Sequence, residues 1–220
     1  MSNLPDVIGA LITEKLGEAG VPGSSIAMTA LKGYFQRRSE AGREILLDEL
    51  RSGEIDAAKV AAEDDCVAVI YRYLRASWEG TARINLRLLA KAIVGRLRTN
   101  TLVADEVMLH ADALASLSRD EIILLATLHR CFACASAQTF FDKWAATERE
   151  LSGKLGWEKP RITAIASRAQ RSGYVVPETG LGPMVSELSY GPSPYFLDLC
   201  KTVDFDDALR REARAGDPLL

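Results

Sequence analysis

The sequence has only two histidines and four cysteines in 220 residues, and it lacks the short motifs that mark common catalytic sites. It contains no Gly-rich phosphate-binding loop, no Gly-x-Ser-x-Gly turn and no His-rich metal motif. Its carboxylate pairs, Asp64-Asp65 and Asp206-Asp207, are adjacent in sequence and so do not face one another on a helix. We therefore expect a binding protein rather than an enzyme, and we expect no cofactor.

Long apolar runs are also missing. The longest uncharged candidate, residues 131–141, is far shorter than the roughly 20 residues of a membrane-spanning helix, and it contains Ser and Gln. The first residues, Met-Ser-Asn-Leu-Pro-Asp, carry neither the basic region nor the cleavage signal of a secretory peptide. These features predict a cytoplasmic protein that has no membrane partner.

The few cysteines include one Cys-x-x-Cys pair, Cys131 and Cys134, which follows His129. A structural zinc site needs four converging ligands, usually from two such clusters, and this sequence has no second cluster. The pair also falls within an apolar helical pattern, where a free cysteine is commonly a small buried hydrophobe. We therefore predict core packing for the pair, and no metal site.

Excess positive charge is absent from the chain as a whole but present in one stretch. There are 27 basic and 30 acidic residues, so any nucleic-acid site has to be local. Residues 143–171 hold seven basic and three acidic residues, whereas residues 172–220 hold four basic and eight acidic ones. A local cationic surface is thus expected only in the first of these two stretches.

A run of three predicted helices lies in the same region. Ser118 and Glu121 are spaced as a capping box, which predicts that the first helix starts at Ser118. An apolar stripe follows it at three- and four-residue steps: Ile122, Leu125, Leu128, Phe132 and Ala135. The stripe predicts that this first helix is mostly buried.

The second and third helices are separated by a short turn. Leu151 and Leu155 share a helix face, and Gly156 can adopt the left-handed backbone that ends a helix. Pro160 suits the first turn of the next helix. One face of that helix is apolar and formed by Ile162, Ile165, Ala166 and Ala169, while Arg161, Arg168 and Arg171 lie well around from it.

These spacings, together with Gly173 and the strand-like residues after it, resemble the winged helix-turn-helix module of many small bacterial regulators. The resemblance covers residues 118–201 and implies duplex DNA binding through the third helix in the major groove. The residues implied as contacts are Lys159, Arg161, Thr163, Ser167, Arg168 and Arg171. The wing would be a hairpin built from residues 174–177 and 195–200, with an extra strand at 184–190, and Asp204 would cap a last helix.

A protein-interaction or assembly role is the alternative hypothesis. The predicted wing, residues 174–199, has no Lys or Arg but contains Glu178, Glu187 and Asp198. Such a surface would repel phosphate. In this interpretation the helical half self-associates or binds a protein partner, and the winged module is structural.

The first half of the chain resembles no family, and its apolar periodicity predicts a helical bundle over residues 1–116. Its predicted helices cover residues 4–16, 25–50, 64–98 and 104–114. Arg83, Arg87 and Lys91 recur at four-residue steps and line one edge. They form either a contact for phosphate or an acidic partner, or a solvated face that pairs with Asp64, Asp65 and the acidic residues of 39–50. We thus expect a mainly α-helical protein with the bundle at 1–116 and a winged-helix-like module with a small β-hairpin at 117–220.

Overall fold

The computed structural model describes residues 26–55, 60, 64–133, 139–179 and 188–215. The chain separates into two compact units between Ser116 and Leu117. The described residues are mainly α-helical, and a two-stranded antiparallel sheet lies near the C-terminal end. The predicted fold class, mainly α with a small hairpin, is therefore confirmed. Within this part of the chain, none of the helices has both the length and the apolar character needed to cross a membrane.

Four helices are described in the first unit: α1 (Ile26–Ser52), α2 (Asp64–Trp78), α3 (Arg83–Thr99) and α4 (Ala104–Ser116). Helix α1 packs on α2 and α3, and α4 packs on the same two helices. Their apolar faces meet in a core that includes Leu46, Leu50, Ile70, Leu74, Leu88 and Ile93. The helix predicted at residues 4–16 lies outside the described residues.

Two glycines shape the helices of this unit. The segment predicted as one helical stretch, 64–98, is divided into α2 and α3 at Gly80, whose φ of +93° is left-handed. Helix α1 instead continues through Gly42. A side chain there would meet Ser77 Oγ at 2.4 Å, so glycine allows α1 and α2 to approach closely.

The second unit begins with three helices: α5 (Arg119–Ala133), α6 (Phe140–Leu155) and α7 (Lys159–Ala169). The predicted capping box at the start of α5 is confirmed. The Ser118 N–H donates to Glu121 Oε2 at 2.7 Å, and the Glu121 N–H donates to Ser118 Oγ at 3.3 Å. Gly156 ends α6 with a φ of +65°, and Pro160 lies in the first turn of α7, both as predicted.

A hairpin and two short helices complete the second unit. The hairpin pairs β1 (Val175–Thr179) with β2 (Leu188–Pro192), so that Pro177 lies opposite Tyr190. It is followed by α8 (Pro194–Leu199) and by α9 (Phe205–Arg214). The predicted Asp204 cap of α9 is confirmed by a 2.8 Å hydrogen bond from the Asp207 N–H.

The prediction of a strand at residues 195–200 is wrong, because this segment is mostly α8. Ser193 accepts a 3.1 Å hydrogen bond from the Phe196 N–H, and Pro194 occupies the first helical turn. These start signals outweigh the β propensity of Tyr195 and Phe196. The second strand of the hairpin overlaps the predicted extra strand at 188–190 instead, and residues 184–187 lie outside the described part of the chain.

Candidate nucleic-acid interface

Helix α7 has one buried side and one exposed side. Ile162, Ile165, Ala166 and Ala169 are almost completely buried, and the helix packs against both α5 and α6. The predicted inward face is therefore confirmed. Because the apolar residues recur at three- and four-residue steps, the intervening positions lie on the opposite side of the helix.

The exposed side carries all but one of the contacts that the resemblance implies. The exposed residues are Lys159, Arg161, Ser167, Arg168 and Arg171, while Thr163 is half-buried. Arg161 and Arg168 are seven residues apart, so they share one edge of α7 about 10.5 Å apart along its axis. Lys159 and Thr163 lie four residues apart on the other edge.

Arg168, in the last turn of α7, and Arg171, in the 3-10 turn Gln170–Ser172 after it, carry positive charge that no described residue of the unit neutralises. Among the described residues neither guanidinium has an ion-pair partner, and Arg171 makes one long contact, from Nε to the Arg168 carbonyl at 3.4 Å. An unpaired guanidinium keeps its donors for a ligand. These two side chains are thus the most available cations of α7 and the turn that follows it.

Lys159 and Arg161 already have partners in their own chain. The Lys159 Nζ lies 4.0 Å from Glu148 Oε2, at the outer limit of an ion pair. Arg161 Nη2 donates to Asp120 Oδ2 at 3.0 Å, and its guanidinium carbon lies 4.7 Å from the centroid of the Trp157 ring. Arg161 is therefore fixed from two directions.

The hydroxyl of Ser167 bonds to the hairpin. Ser167 Oγ and the Tyr190 hydroxyl are 2.7 Å apart, and Tyr190 is completely buried. Sequence analysis identified neither Tyr190 nor Asp120 as part of this surface. Asp120 lies 41 residues from its partner, and no local pattern connects such distant positions. Trp157 precedes Arg161 by four residues, which is the spacing that could have indicated their contact.

The hairpin beside α7 adds no positive charge. The stretch 174–199 has no Lys or Arg, and within the described strands the Glu178 side chain is exposed. Phosphate binding depends on cations placed close to the backbone of the nucleic acid. The hairpin therefore supplies no cation for a phosphate.

The second predicted patch, Arg83, Arg87 and Lys91 on α3, is not an open surface. Arg87 Nη1 lies 2.7 Å from Glu49 Oε1, and Lys91 Nζ lies 3.2 Å from Glu49 Oε2. Only Arg83 is exposed, since Arg87 and Glu49 are buried and Lys91 is half-buried. A buried carboxylate requires compensating charge, and α3 supplies it to α1. The alternative prediction, pairing with the acidic residues of 39–50, thus holds for Arg87 and Lys91, but the pairs are buried instead of solvated.

The second unit also contains a cleft of about 210 Å³ between α5, α6 and α9. Arg130 joins its three walls: its Nη2 donates to Glu150 Oε1 at 2.6 Å, and its Nη1 pairs with Asp206. Lys154 also pairs with Glu150, at 2.8 Å. Since these cations are matched by carboxylates of the same unit, the cluster holds α9 in place and leaves little charge for a ligand.

The ionisable groups around this cleft agree with a structural role. Burial alone would raise the pKa of Glu150, but hydrogen bonds from Lys154 and Arg130 outweigh it and lower the pKa below its ordinary value. Burial raises the pKa of the Cys131 thiol, so this thiol is protonated at neutral pH. Among the described residues no group of three or more His, Cys, Asp or Glu side chains is placed to hold a metal ion, and Cys134 lies outside them.

Comparisons with protein-family models, with curated proteins and with solved structures found no match. The candidate site therefore has to be judged from its own geometry. That geometry is a short helix packed on one side against the core of its unit. On its exposed side Lys159 and Arg161 are paired, while Arg168 and, in the turn that follows, Arg171 have no ion-pair partner among the described residues.

Proposed function

We propose that the C-terminal unit binds duplex DNA and that α7 is the helix that enters the major groove. The observation that carries the proposal is a pair of exposed guanidinium groups, Arg168 in the last turn of α7 and Arg171 in the 3-10 turn Gln170–Ser172 that follows it, which have no carboxylate partner among the described residues. A helix that is anchored on one face and cationic on the other can lie in a groove without losing its packing.

The order of the elements supports the same proposal. Helices α5 and α6 precede a short turn at Gly156, and α7 is followed by the 3-10 turn Gln170–Ser172 and then by the β1–β2 hairpin. This order is that of the winged helix-turn-helix resemblance drawn from the sequence. Because the hairpin has no Lys or Arg, its role here is to fix α7 through the Ser167–Tyr190 bond, and phosphate contacts fall to α7.

The proposal assigns different roles to the exposed residues. Arg168 and Arg171 would contact phosphates, which gives affinity without dependence on sequence. Lys159, at the start of α7, would add a third phosphate contact. Binding of this kind is strong at low salt and weakens steeply as salt is added, because each neutralised phosphate releases condensed counterions.

Fluorescence anisotropy with a labelled 24-base-pair duplex of random sequence at low salt tests the proposal. The wild-type chain is expected to bind, and Arg168→Ala/Arg171→Ala is expected to weaken binding at least tenfold. The matched control is Arg51→Ala/Arg98→Ala, which removes the same charge from exposed positions of the first unit. Absence of wild-type binding, or equal loss in both double variants, would rule out α7 as the contact.

A second candidate function is contact with another protein through the hairpin. Val176 is about two-fifths exposed and lies two residues from Glu178 on the same face of β1, whereas Leu188, equally exposed, lies on the opposite face of the hairpin. An exposed apolar side chain beside an acidic one fits a protein surface better than a phosphate backbone. Sedimentation analysis tests the simplest form, self-association: a concentration-dependent dimer that Val176→Asp abolishes supports it, and a monomer at every concentration removes it.

A further inference from the structure

Arg161 differs from the other exposed cations of α7 because two neighbouring side chains, Asp120 and Trp157, hold its guanidinium in place. Asp120 Oδ2 accepts a 3.0 Å hydrogen bond from its Nη2, and the ring of Trp157 lies 4.7 Å from its guanidinium carbon. The Arg161 side chain is nevertheless 54% exposed, so part of the guanidinium faces solvent. The side chain is thus held in one orientation with a free edge.

Trp157 and Asp120, the two residues that hold Arg161, are themselves fixed within the unit. Trp157 is 6% exposed, and its carbonyl accepts a 2.7 Å hydrogen bond from Ser152 Oγ at the end of α6. Asp120 lies in the first turn of α5, where a negative charge is favoured by the helix dipole. Asp120 thus belongs to a helix that packs against α7, and Trp157 is a buried residue of the turn that joins α6 to α7. An arginine ordered in advance loses less conformational entropy when it binds.

The N–H donors on the free edge of the Arg161 guanidinium indicate which kind of ligand it can bind. Guanidinium has five N–H donors, and its two outward edges each present a parallel pair. Because Nη2 carries two hydrogens, one on each edge, its single bond to Asp120 leaves one complete edge free. Two parallel N–H donors match the O6 and N7 acceptors of guanine in the major groove.

We infer that Arg161 recognises a guanine base and that Asp120 and Trp157 are its positioning residues; this inference rests on the proposed DNA binding by α7. Arg161 is the third residue of α7, and the N-terminal residues of a recognition helix are those that contact base edges. Arg168 lies in the last turn of the helix and Arg171 in the turn after it, where phosphate contact needs only charge. Base recognition is thus assigned to the start of α7, and phosphate binding to its end and the turn that follows.

The competing interpretation is that Asp120 simply neutralises Arg161. Both interpretations contain the same ion pair, but they predict opposite effects on sequence preference. Removing a neutralising carboxylate strengthens binding to every duplex equally. Removing a positioning carboxylate releases Arg161, so binding to random duplex is unchanged or stronger while the preference for guanine falls.

The experiment selects a randomised duplex library with the full-length chain and measures the enrichment of each base at each position. The wild type is expected to prefer guanine at one position by roughly 5- to 150-fold over other bases. Arg161→Lys keeps the charge but not the paired donors, and is expected to remove this preference while the Kd for random duplex stays within about twofold. Asp120→Ala and Trp157→Phe are expected to reduce the preference to below about threefold. Asp105→Ala, in the first turn of α4, is the matched control for loss of an exposed carboxylate.

The outcomes are distinguishable. Loss of the guanine preference in Arg161→Lys and Asp120→Ala, with random-duplex binding retained, supports the inference. A wild type that binds duplex without any guanine preference dependent on Arg161 overturns the inference and leaves the proposed function intact. If Asp120→Ala keeps the wild-type preference for guanine and binds all duplexes more tightly by the same factor, the positioning role of Asp120 is overturned. No duplex binding by the wild type overturns the proposed function and the inference with it.

Discussion

Ser167 and Tyr190 share a hydrogen bond of 2.7 Å that joins the exposed side of α7 to the second strand of the hairpin. Tyr190 is completely buried, whereas Ser167 is exposed. If the bond is lost, water can hydrogen-bond to the Ser167 hydroxyl in its place, but it cannot reach the buried Tyr190 hydroxyl. This asymmetry makes the contribution of each hydroxyl to stability measurable.

Removing the exposed hydroxyl of Ser167 is expected to lower the free energy of unfolding more than removing the buried hydroxyl of Tyr190. Ser167→Ala leaves the buried Tyr190 hydroxyl without its partner and should lower the free energy of unfolding by about 1–3 kcal/mol. Tyr190→Phe leaves a serine hydroxyl that water can satisfy and should cost about 1 kcal/mol. Urea unfolding followed by fluorescence compares the two variants. The reverse order of the two losses would show that the bond does not hold the hairpin to α7.

A second prediction concerns Gly191 on β2. A side chain there would lie 2.3 Å from Phe140 and 3.0 Å from Phe132, both ring atoms. Gly191→Ala is therefore expected to destabilise the second unit by about 1–3 kcal/mol through overpacking. Gly153 in α6 has nothing within 4 Å, so Gly153→Ala is expected to be neutral or to stabilise by up to about 1 kcal/mol. Thermal unfolding measures both, and equal shifts in Tm would contradict the close approach of the strand to the rings.

The buried charge cluster of the first unit gives a third prediction. Glu49 is paired with both Arg87 and Lys91, so Glu49→Gln removes the buried carboxylate that both cations share and leaves Arg87 with only the more exposed Asp48, at 3.0 Å, of its two carboxylates. Loss of a partner from a buried ion pair costs about 3–5 kcal/mol, and we expect this variant to fall in that range. Arg87→Gln leaves the Glu49–Lys91 pair intact and should cost less. Urea midpoints test the order, and a loss below about 1 kcal/mol in Glu49→Gln would mean that the cluster contributes little.

The lowered pKa of Glu150 predicts how acid affects the second unit. Hydrogen bonds from Lys154 and Arg130 favour the ionised carboxylate in the folded state, against the opposing effect of burial. A carboxyl whose folded pKa is depressed adds stability above its unfolded pKa and loses it as the pH falls through the folded value. The stability of the wild type should therefore fall as the pH drops below about 4.5, the ordinary value for Glu. Glu150→Gln should be less stable at pH 7 and lose less between pH 5 and pH 3; parallel curves for the two chains would contradict the assignment.

Local chemistry was sufficient to predict several parts of this fold. Ser118 with Glu121, Gly156 and Asp204 each act on backbone groups within four residues, so their effect is visible in the sequence. The buried face of α7 was predictable for a similar reason, because apolar residues at helical spacing have to be removed from water together. The strand prediction at 195–200 failed because β propensity was weighed without the start signals at Ser193 and Pro194.

The long-range partners of charged residues could not be predicted. Arg87 was expected on an exposed edge, and its burial follows from Glu49, 38 residues earlier on another helix. Asp120 and Arg161 meet only because the start of α5 packs beside the start of α7. Which arginines are paired and which are available to a ligand is thus a property of the folded chain.

The salt dependence of duplex binding tests the central claim most directly. If the cations of α7 contact phosphates, a plot of log association constant against log salt concentration should have a slope of about −3, because each neutralised phosphate contributes about −0.9. Arg168→Ala/Arg171→Ala should make this slope less steep by about 1.8, whereas Arg51→Ala/Arg98→Ala should leave it unchanged. A slope near zero, or the same slope in the wild type and the Arg168/Arg171 variant, would contradict the claim that α7 binds the DNA backbone.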